Sequence, residues 1–156
     1  MNGPRKIDGI FQKTVNDTSP VYKRMTATAA IAVGDLVFLD SATMTNGLAH
    51  VTKTPATTPT ALSRGGALGI ADTAADAAGD VISVQVYGYR ANAKVDSGAL
   101  QGELLVANST AAGTLARRTA AGSYNQDEIT AAIACQPVAL ALENEGSGEA
   151  NVWLLN

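Results

Sequence analysis

The stretch Gly79-Asp80-Val81-Ile82-Ser83-Val84-Gln85-Val86-Tyr87-Gly88-Tyr89 reads as a turn running into a β-strand. Glycine and aspartate punctuate the chain. Apolar, β-branched and aromatic residues then alternate with polar ones, so that one face can be buried while the other meets water. Ala91 to Val95 can prolong the strand before Asp96-Ser97-Gly98 turns it. The same phrase closes the chain as Gly148-Glu149-Ala150-Asn151-Val152-Trp153-Leu154-Leu155. Moving outward, further phrases match in the same order. Gly34-Asp35-Leu36-Val37 answers to Gly102-Glu103-Leu104-Leu105, and Gly47-Leu48-Ala49 to Gly113-Thr114-Leu115-Ala116. Leu68-Gly69-Ile70-Ala71-Asp72 answers to Val138-Ala139-Leu140-Ala141-Leu142-Glu143. Residues 34–88 and 102–156 therefore read as one run of short strands written twice. A repeated run of strands is a scaffold, and scaffolds often bind instead of catalysing.

Each half is expected to hold four strands. In the first half these are Leu36 to Leu39, Ala49 to Lys53, Ala67 to Ala71 and Val81 to Tyr89; in the second, Leu104 to Ala107, Thr114 to Thr119, Val138 to Leu142 and Asn151 to Leu155. Asp40 to Gly47 reads as a polar loop ending in the turn dipeptide Asn46-Gly47. Thr54 to Gly66 reads as a surface loop, because Pro55 and Pro59 remove donors from any ladder. Asp72 to Asp80 could hold a helical turn. Gln126 to Gln136 is the one helix expected, capped by Asn125, with Asp127 and Glu128 at its positive end and Pro137 stopping it. The fold class that results is all-β with minor α: a compact β-barrel or sandwich, built from two similar halves. The expected domains are an N-terminal arm over residues 1–25 and a β domain over 26–156, although strand-like text already begins at Val21.

At 156 residues, the chain suits one domain plus an arm, and either half alone is a marginal folding unit. Hydrophobic residues make up 46%, but alanine dominates them and aromatics reach only 4%. A core of that kind buries little area per residue, which favours help from oligomerisation. Arg5, Lys6, Lys13, Lys23 and Arg24 face only Asp8 and Asp17 in residues 1–25, a local charge of +3 within a net −3, so the body carries −6. An acidic body with few aromatic platforms disfavours nucleic acid as a partner. No apolar run follows the first basic residues and none reaches the roughly 18 residues of a membrane span, so a soluble product made in a cytoplasm is expected, with no membrane partner.

Catalytic and metal constellations are thin. His50 is the sole histidine and Cys135 the sole cysteine, which leaves no nucleophile-base-orienter set and no disulfide framework. His50 is expected to be structural and Cys135 a small buried hydrophobe. Asp72, Asp76 and Asp80, with Glu143, Glu145 and Glu149 in the second half, read as a solvated acidic rim rather than a cation loop, since their spacing is not that of an EF-hand. Arg64-Gly65-Gly66-Ala67-Leu68-Gly69 lacks the lysine and hydroxyl ending of a phosphate loop. Asn16-Asp17-Thr18 and Asn108-Ser109-Thr110 fit the N-glycosylation pattern but follow no secretory signal. No cofactor is implied. Trp153, the only tryptophan, is a candidate anchor at a subunit interface.

The order Gly34-Asp35-Leu36-Val37, Ala67-Leu68-Gly69-Ile70-Ala71 and Gly79-Asp80-Val81-Ile82-Ser83-Val84-Gln85-Val86-Tyr87-Gly88 resembles the small head decoration, or cement, proteins of tailed bacteriophages. The resemblance spans roughly residues 26–156. It implies a β-rich domain, often of the β-tulip or a related barrel type, in a non-enzymatic virion protein on the outer capsid surface, commonly a homotrimer, that stabilises the shell by bridging subunits of the major capsid protein. By the same resemblance an N-terminal arm makes the capsid contact, with Arg5, Lys6, Ile7, Ile10, Phe11, Lys13 and Val15 as its anchors. Two other expectations stand beside it. One is another virion part, a head-fibre base or tail protein; the other is a carbohydrate-binding β domain, against which the scarcity of aromatics weighs.

Overall fold

The computed structural model describes residues 19–55, 67–108, 110–117 and 137–155, with backbone alone at 41–43. Their secondary structure is nine strands: β1 Val21–Ala27, β2 Leu36–Thr45, β3 Leu48–Lys53, β4 Ala67–Ala71, β5 Val81–Lys94, β6 Leu104–Ala107, β7 Leu115–Arg117, β8 Ala139–Ala141 and β9 Glu149–Leu155. All nine join one sheet in the order β1-β3-β2-β4-β5-β9-β8-β6-β7, with an additional pairing of β1 to β5. Every pairing between strands is antiparallel except β1 with β3. The chain is thus all-β, and no helix lies among the described residues.

The two halves pair alike. In the first, β2 pairs with β3 and β4, and β4 pairs with β5; in the second, β6 pairs with β7 and β8, and β8 pairs with β9. The correspondence reaches further upstream than the matched phrases. β1 runs antiparallel to the front of β5 and parallel to β3, where Thr28 N donates to Val51 O at 2.9 Å. The back of β5 runs antiparallel to β9, and Val95 just beyond it makes a parallel bridge to Leu115, where Asp96 N donates to Leu115 O at 2.7 Å. The long β5 therefore closes the first half with its front and opens the second with its back. Residues 21–87 and 89–155 become the matching units.

Turn chemistry repeats with the strands. Gly34 N donates to Ala71 O, Asp35 N to Ala32 O, and the Asp35 carboxylate accepts from Ala32 N. In the second half Gly102 N donates to Ala141 O, Glu103 N to Leu100 O, and the Glu103 carboxylate accepts from Leu100 N. A carboxylate that caps its own turn satisfies a donor the sheet leaves open, the reason Asp and Glu recur at this place.

Each half carries its own core at matching places. Met25, Ala27, Ile31, Val37, Val51, Ile82 and Val84 belong to the first cluster; Ala93, Val95, Ala99, Leu105, Leu115, Ala150 and Val152 belong to the second. The pleat explains the choice: Ile82 and Val84 point inward from β5, as Ala150, Val152 and Leu154 do from β9. Leu36 and Ile70 come from the first half but join the second cluster, so the halves share apolar contact.

Several expectations change. Asp40 to Thr45 is strand instead of loop, because β2 stays paired with β3 through two register shifts out to the Asn46-Gly47 turn. Residues 21–25, assigned to the arm, lie in β1, since their backbone completes the front edge of β5. Asp72 to Asp80 forms bends and a turn around a bridge between Ile31 and Ala75, not a helical turn. The pairings from β1 through β3, β2, β4 and β5 curl the first half into a partial ring while β9, β8, β6 and β7 extend the sheet, so the described residues form no closed barrel. The expected helix at 126–136, with Cys135, and most of the loop at 54–66 lie outside the described residues.

Candidate binding face around Trp153

Trp153 sits in mid-strand on β9, directly opposite Tyr89 of β5 on one side and Leu140 of β8 on the other. The alternation of β9 buries Ala150, Val152 and Leu154 and turns Asn151, Trp153 and Leu155 to the outer face. Trp153 is half-buried there. Its ring meets Tyr87 edge to face, with centroids 5.8 Å apart and planes at 87°, a geometry in which the positive edge of one ring faces the negative face of the other. Tyr89 is 45% exposed and Leu155 43% exposed. The result is an aromatic and aliphatic outer face fixed on central strands of the sheet, a rigid platform of the type that anchors macromolecular contacts.

A polar network holds β5 in place beside this face. Gln85 is buried, and its Nε2 donates to the carbonyls of Tyr89 at 2.7 Å and Tyr87 at 3.4 Å. Arg90 Nη1 donates to Asp72 Oδ1 at 2.5 Å and reaches Gln85 Oε1 at 3.5 Å. Between them, Gly88 passes so near the residues that lead into β1 that an added Cβ would stand 3.0 Å from Pro20 Cα. The front of β5 belongs to the first core and its back to the second, and these contacts pin the crossing point.

A second polar node joins the halves at Asp35. Its carboxylate is almost fully buried, with Lys94 Nζ at 2.6 Å from Oδ1 and Lys53 Nζ at 3.7 Å from Oδ2. Gly113, from the loop between β6 and β7, packs over it; Leu36 N donates to Gly113 O, and Gly113 N donates to Thr54. Both lysines are partly exposed, so the node draws on charge-assisted hydrogen bonds without burying a bare charge.

The remaining sequence candidates resolve into local devices. His50 is half-buried, with Nε2 at 2.6 Å from Thr45 Oγ1 across the hairpin. Asp80 accepts from Asp76 N and Ala77 N, Glu143 from Asn151 N, and Glu145 from Gly98 N and Gly148 N. These acids serve turns. No group of three or more His, Cys, Asp or Glu able to hold a metal ion occurs among the described residues. Asn108, which opens a glycosylation pattern, is 2% exposed and folds its Oδ1 onto Thr110 and Ala111, while its Nδ2 is buried without a partner among the described residues.

Of the site residues expected from the sequence, Trp153 lies on the exposed face just described. Arg5, Lys6, Ile7, Ile10, Phe11, Lys13 and Val15 lie outside the described residues. Sequence reasoning missed Tyr87 and Tyr89 as companions of Trp153, although their period-2 spacing on β5 was the available signal. No helix among the described residues is long and apolar enough to cross a membrane.

No protein-family model matches the chain, and no curated protein sequence matches it. In fold it is similar to the head fiber gp8.5 N base of bacteriophage phi29, with a TM-score of 0.53 over 88% of this chain and 95% of that one, at 14% identity.

Proposed function

We propose that this chain is a structural protein of a tailed-phage virion and forms the base of a head fibre. The observation that carries the reading is the likeness of fold to the phi29 head fiber base, which spans nearly the whole of both chains. It favours a fibre base over a capsid cement protein, since the similar fold is that of a fibre base. The resemblance to cement proteins rests on short phrases of the first half.

The supporting chemistry is mechanical. The sheet presents Trp153, Tyr89 and Leu155 on one face, while His50, Asp80, Glu143 and Glu145 are engaged in local turn and hairpin contacts. In this reading the basic and apolar residues before β1, Arg5, Lys6, Ile7, Ile10, Phe11, Lys13 and Val15, attach the base to the head, and the β domain carries the projecting part. Several weak contacts made at once by one particle-bound assembly give firm attachment. The protein acts without catalysis or a cofactor.

Gold-labelled antibody against the β domain, applied to purified particles of the virus that encodes the chain, tests this in electron micrographs. Label at the roots of projections from the head is the expected result. Label spread evenly over the shell would return the protein to the cement class, and label on the tail alone would reject both head roles.

A further inference from the structure

The two matching units treat one row differently. In the first unit, Leu36, Ile70 and Gln85 stand side by side across β2, β4 and β5, and all three are buried. Leu36 and Ile70 join the apolar cluster of the second half, which covers them. In the second unit the matching row is Leu104, Leu140 and Trp153 across β6, β8 and β9, and Tyr89 of β5 continues it beside Trp153. Here Leu104 is 41% and Tyr89 45% exposed, and Leu140 and Trp153 are half-buried. The row is more apolar than its counterpart, yet the described residues leave it more open.

The chain enters the described structure at the margin of this row. Ser19 and Pro20 pass beside Gly88, which lies between Tyr87 and Tyr89; a Cβ built on Gly88 would stand 3.0 Å from Pro20 Cα and 3.4 Å from Ser19 O. Val21 is then paired with Tyr87. From Tyr89 to Leu104 the row crosses three strand spacings, about 14 Å at the usual separation of neighbouring strands. An extended chain covers that distance in about five residues. Val15, Phe11, Ile10 and Ile7 therefore all lie within reach in the segment that precedes Ser19. Charge agrees with reach. Glu103 adjoins Leu104, and Glu143 accepts from Asn151 N, two residues before Trp153. Residues 1–18 carry Arg5, Lys6 and Lys13 against Asp8 and Asp17, a charge of +1, whereas residues 118–136, which lead into β8, carry Arg118 against Asp127 and Glu128, a charge of −1. An acidic border favours the first of these segments over the second.

We infer that in the free protein residues 1–18 return across the outer face of the second half and cover Tyr89, Trp153, Leu140 and Leu104, with Ile7, Ile10, Phe11 and Val15 as the apolar contacts. The occupant follows from where the chain enters, how far it reaches and the sign of its charge. Because segment and face belong to one chain, their contact is intramolecular and independent of protein concentration. It also withdraws apolar groups that would otherwise favour association. The inference goes beyond the virion reading and concerns the protein before assembly. The same side chains cannot cover this face and grip a head at once, so attachment through the segment would uncover Trp153.

Trp153, the only tryptophan, reports on this face directly. Acrylamide quenching of its fluorescence is measured on the full-length free protein over a dilution series, with sedimentation velocity on the same samples. No virus particle enters the experiment, so its outcome is separate from that of the virion reading. The expected result is a shielded Trp153 whose quenching constant does not change with dilution. Phe11→Asp and Ile10→Asp, each made in the full chain and outside every described strand, should raise that constant toward the value of an exposed indole. Losing one buried apolar side chain of this size shifts the docking equilibrium by roughly tenfold or more. A freely quenched Trp153 in the unmodified chain overturns the inference. So does shielding that both variants leave intact, which would give the face to residues 118–136, and shielding lost on dilution as an assembly separates, which would give it to a second copy.

Discussion

Gly69 lies so close to β5 that a Cβ built on it would stand 2.2 Å from the carbonyl oxygen of Gln85. A backbone oxygen cannot yield as a flexible side chain can, so Gly69→Ala is expected to cost about 2 kcal/mol or more, read as a lower urea midpoint. An unchanged midpoint would mean that β4 and β5 are further apart than described. Asp35 and Glu103 form a natural control. Both carboxylates cap a turn from a matching position, but Asp35 also holds Lys94 and Lys53. Asp35→Ala should cost about 2 to 3 kcal/mol, because the charge-assisted hydrogen bond from Lys94 is lost with the cap while the part-exposed lysines return to water, and Glu103→Ala about 1 kcal/mol. Equal losses would show that the lysines contribute nothing beyond the cap. The turn role of these acids was legible as Gly-Asp and Gly-Glu before apolar runs. The lysines were not, since Lys53 and Lys94 reach Asp35 only once β3 and β5 are placed by the sheet.

At the scale of elements, local pattern and pairing had unequal visibility. β4 at Ala67–Ala71 and β6 at Leu104–Ala107 coincide with the strands read from the sequence, because short apolar runs between turn signals leave little choice of boundary. The outer part of β2 was invisible for the opposite reason: Asp40 to Thr45 is polar, and it is strand only because β3 returns alongside it. The double role of β5 was hidden as well. Its front and back bury side chains in different clusters, and no local rule states which strands will flank it. That role predicts its stability. Residues 82–87 of β5 have β1 on one edge and β4 or β9 on the other, so their amides should exchange only through global opening, while Leu115–Arg117 at the sheet's end should exchange faster. Hydrogen-exchange NMR reads this residue by residue, and rapid exchange at Val84 or Val86 would contradict the shared-strand arrangement.

For the whole molecule, two units that share β5, the second taking Leu36 and Ile70 of the first into its core, should fold as one. The segment 89–155 expressed alone lacks those two side chains and the Asp35 node, and it is expected to show no cooperative thermal transition by circular dichroism. A sharp transition in that segment would make the halves independent domains. The duplicated architecture was legible from the paired phrases, and so was the all-β class. Trp153 stood out in the sequence as a candidate interface anchor, but the face around it emerged only when β5, β9, β8 and β6 came together, since its members lie far apart in the chain. The central claim, that this β domain is the base of a phage head fibre, is tested most directly by a cryo-electron reconstruction of the virion at a resolution that shows strands. Density matching the nine-strand sheet is expected at the foot of each head projection; intact projections whose feet contain no such sheet would contradict this assignment.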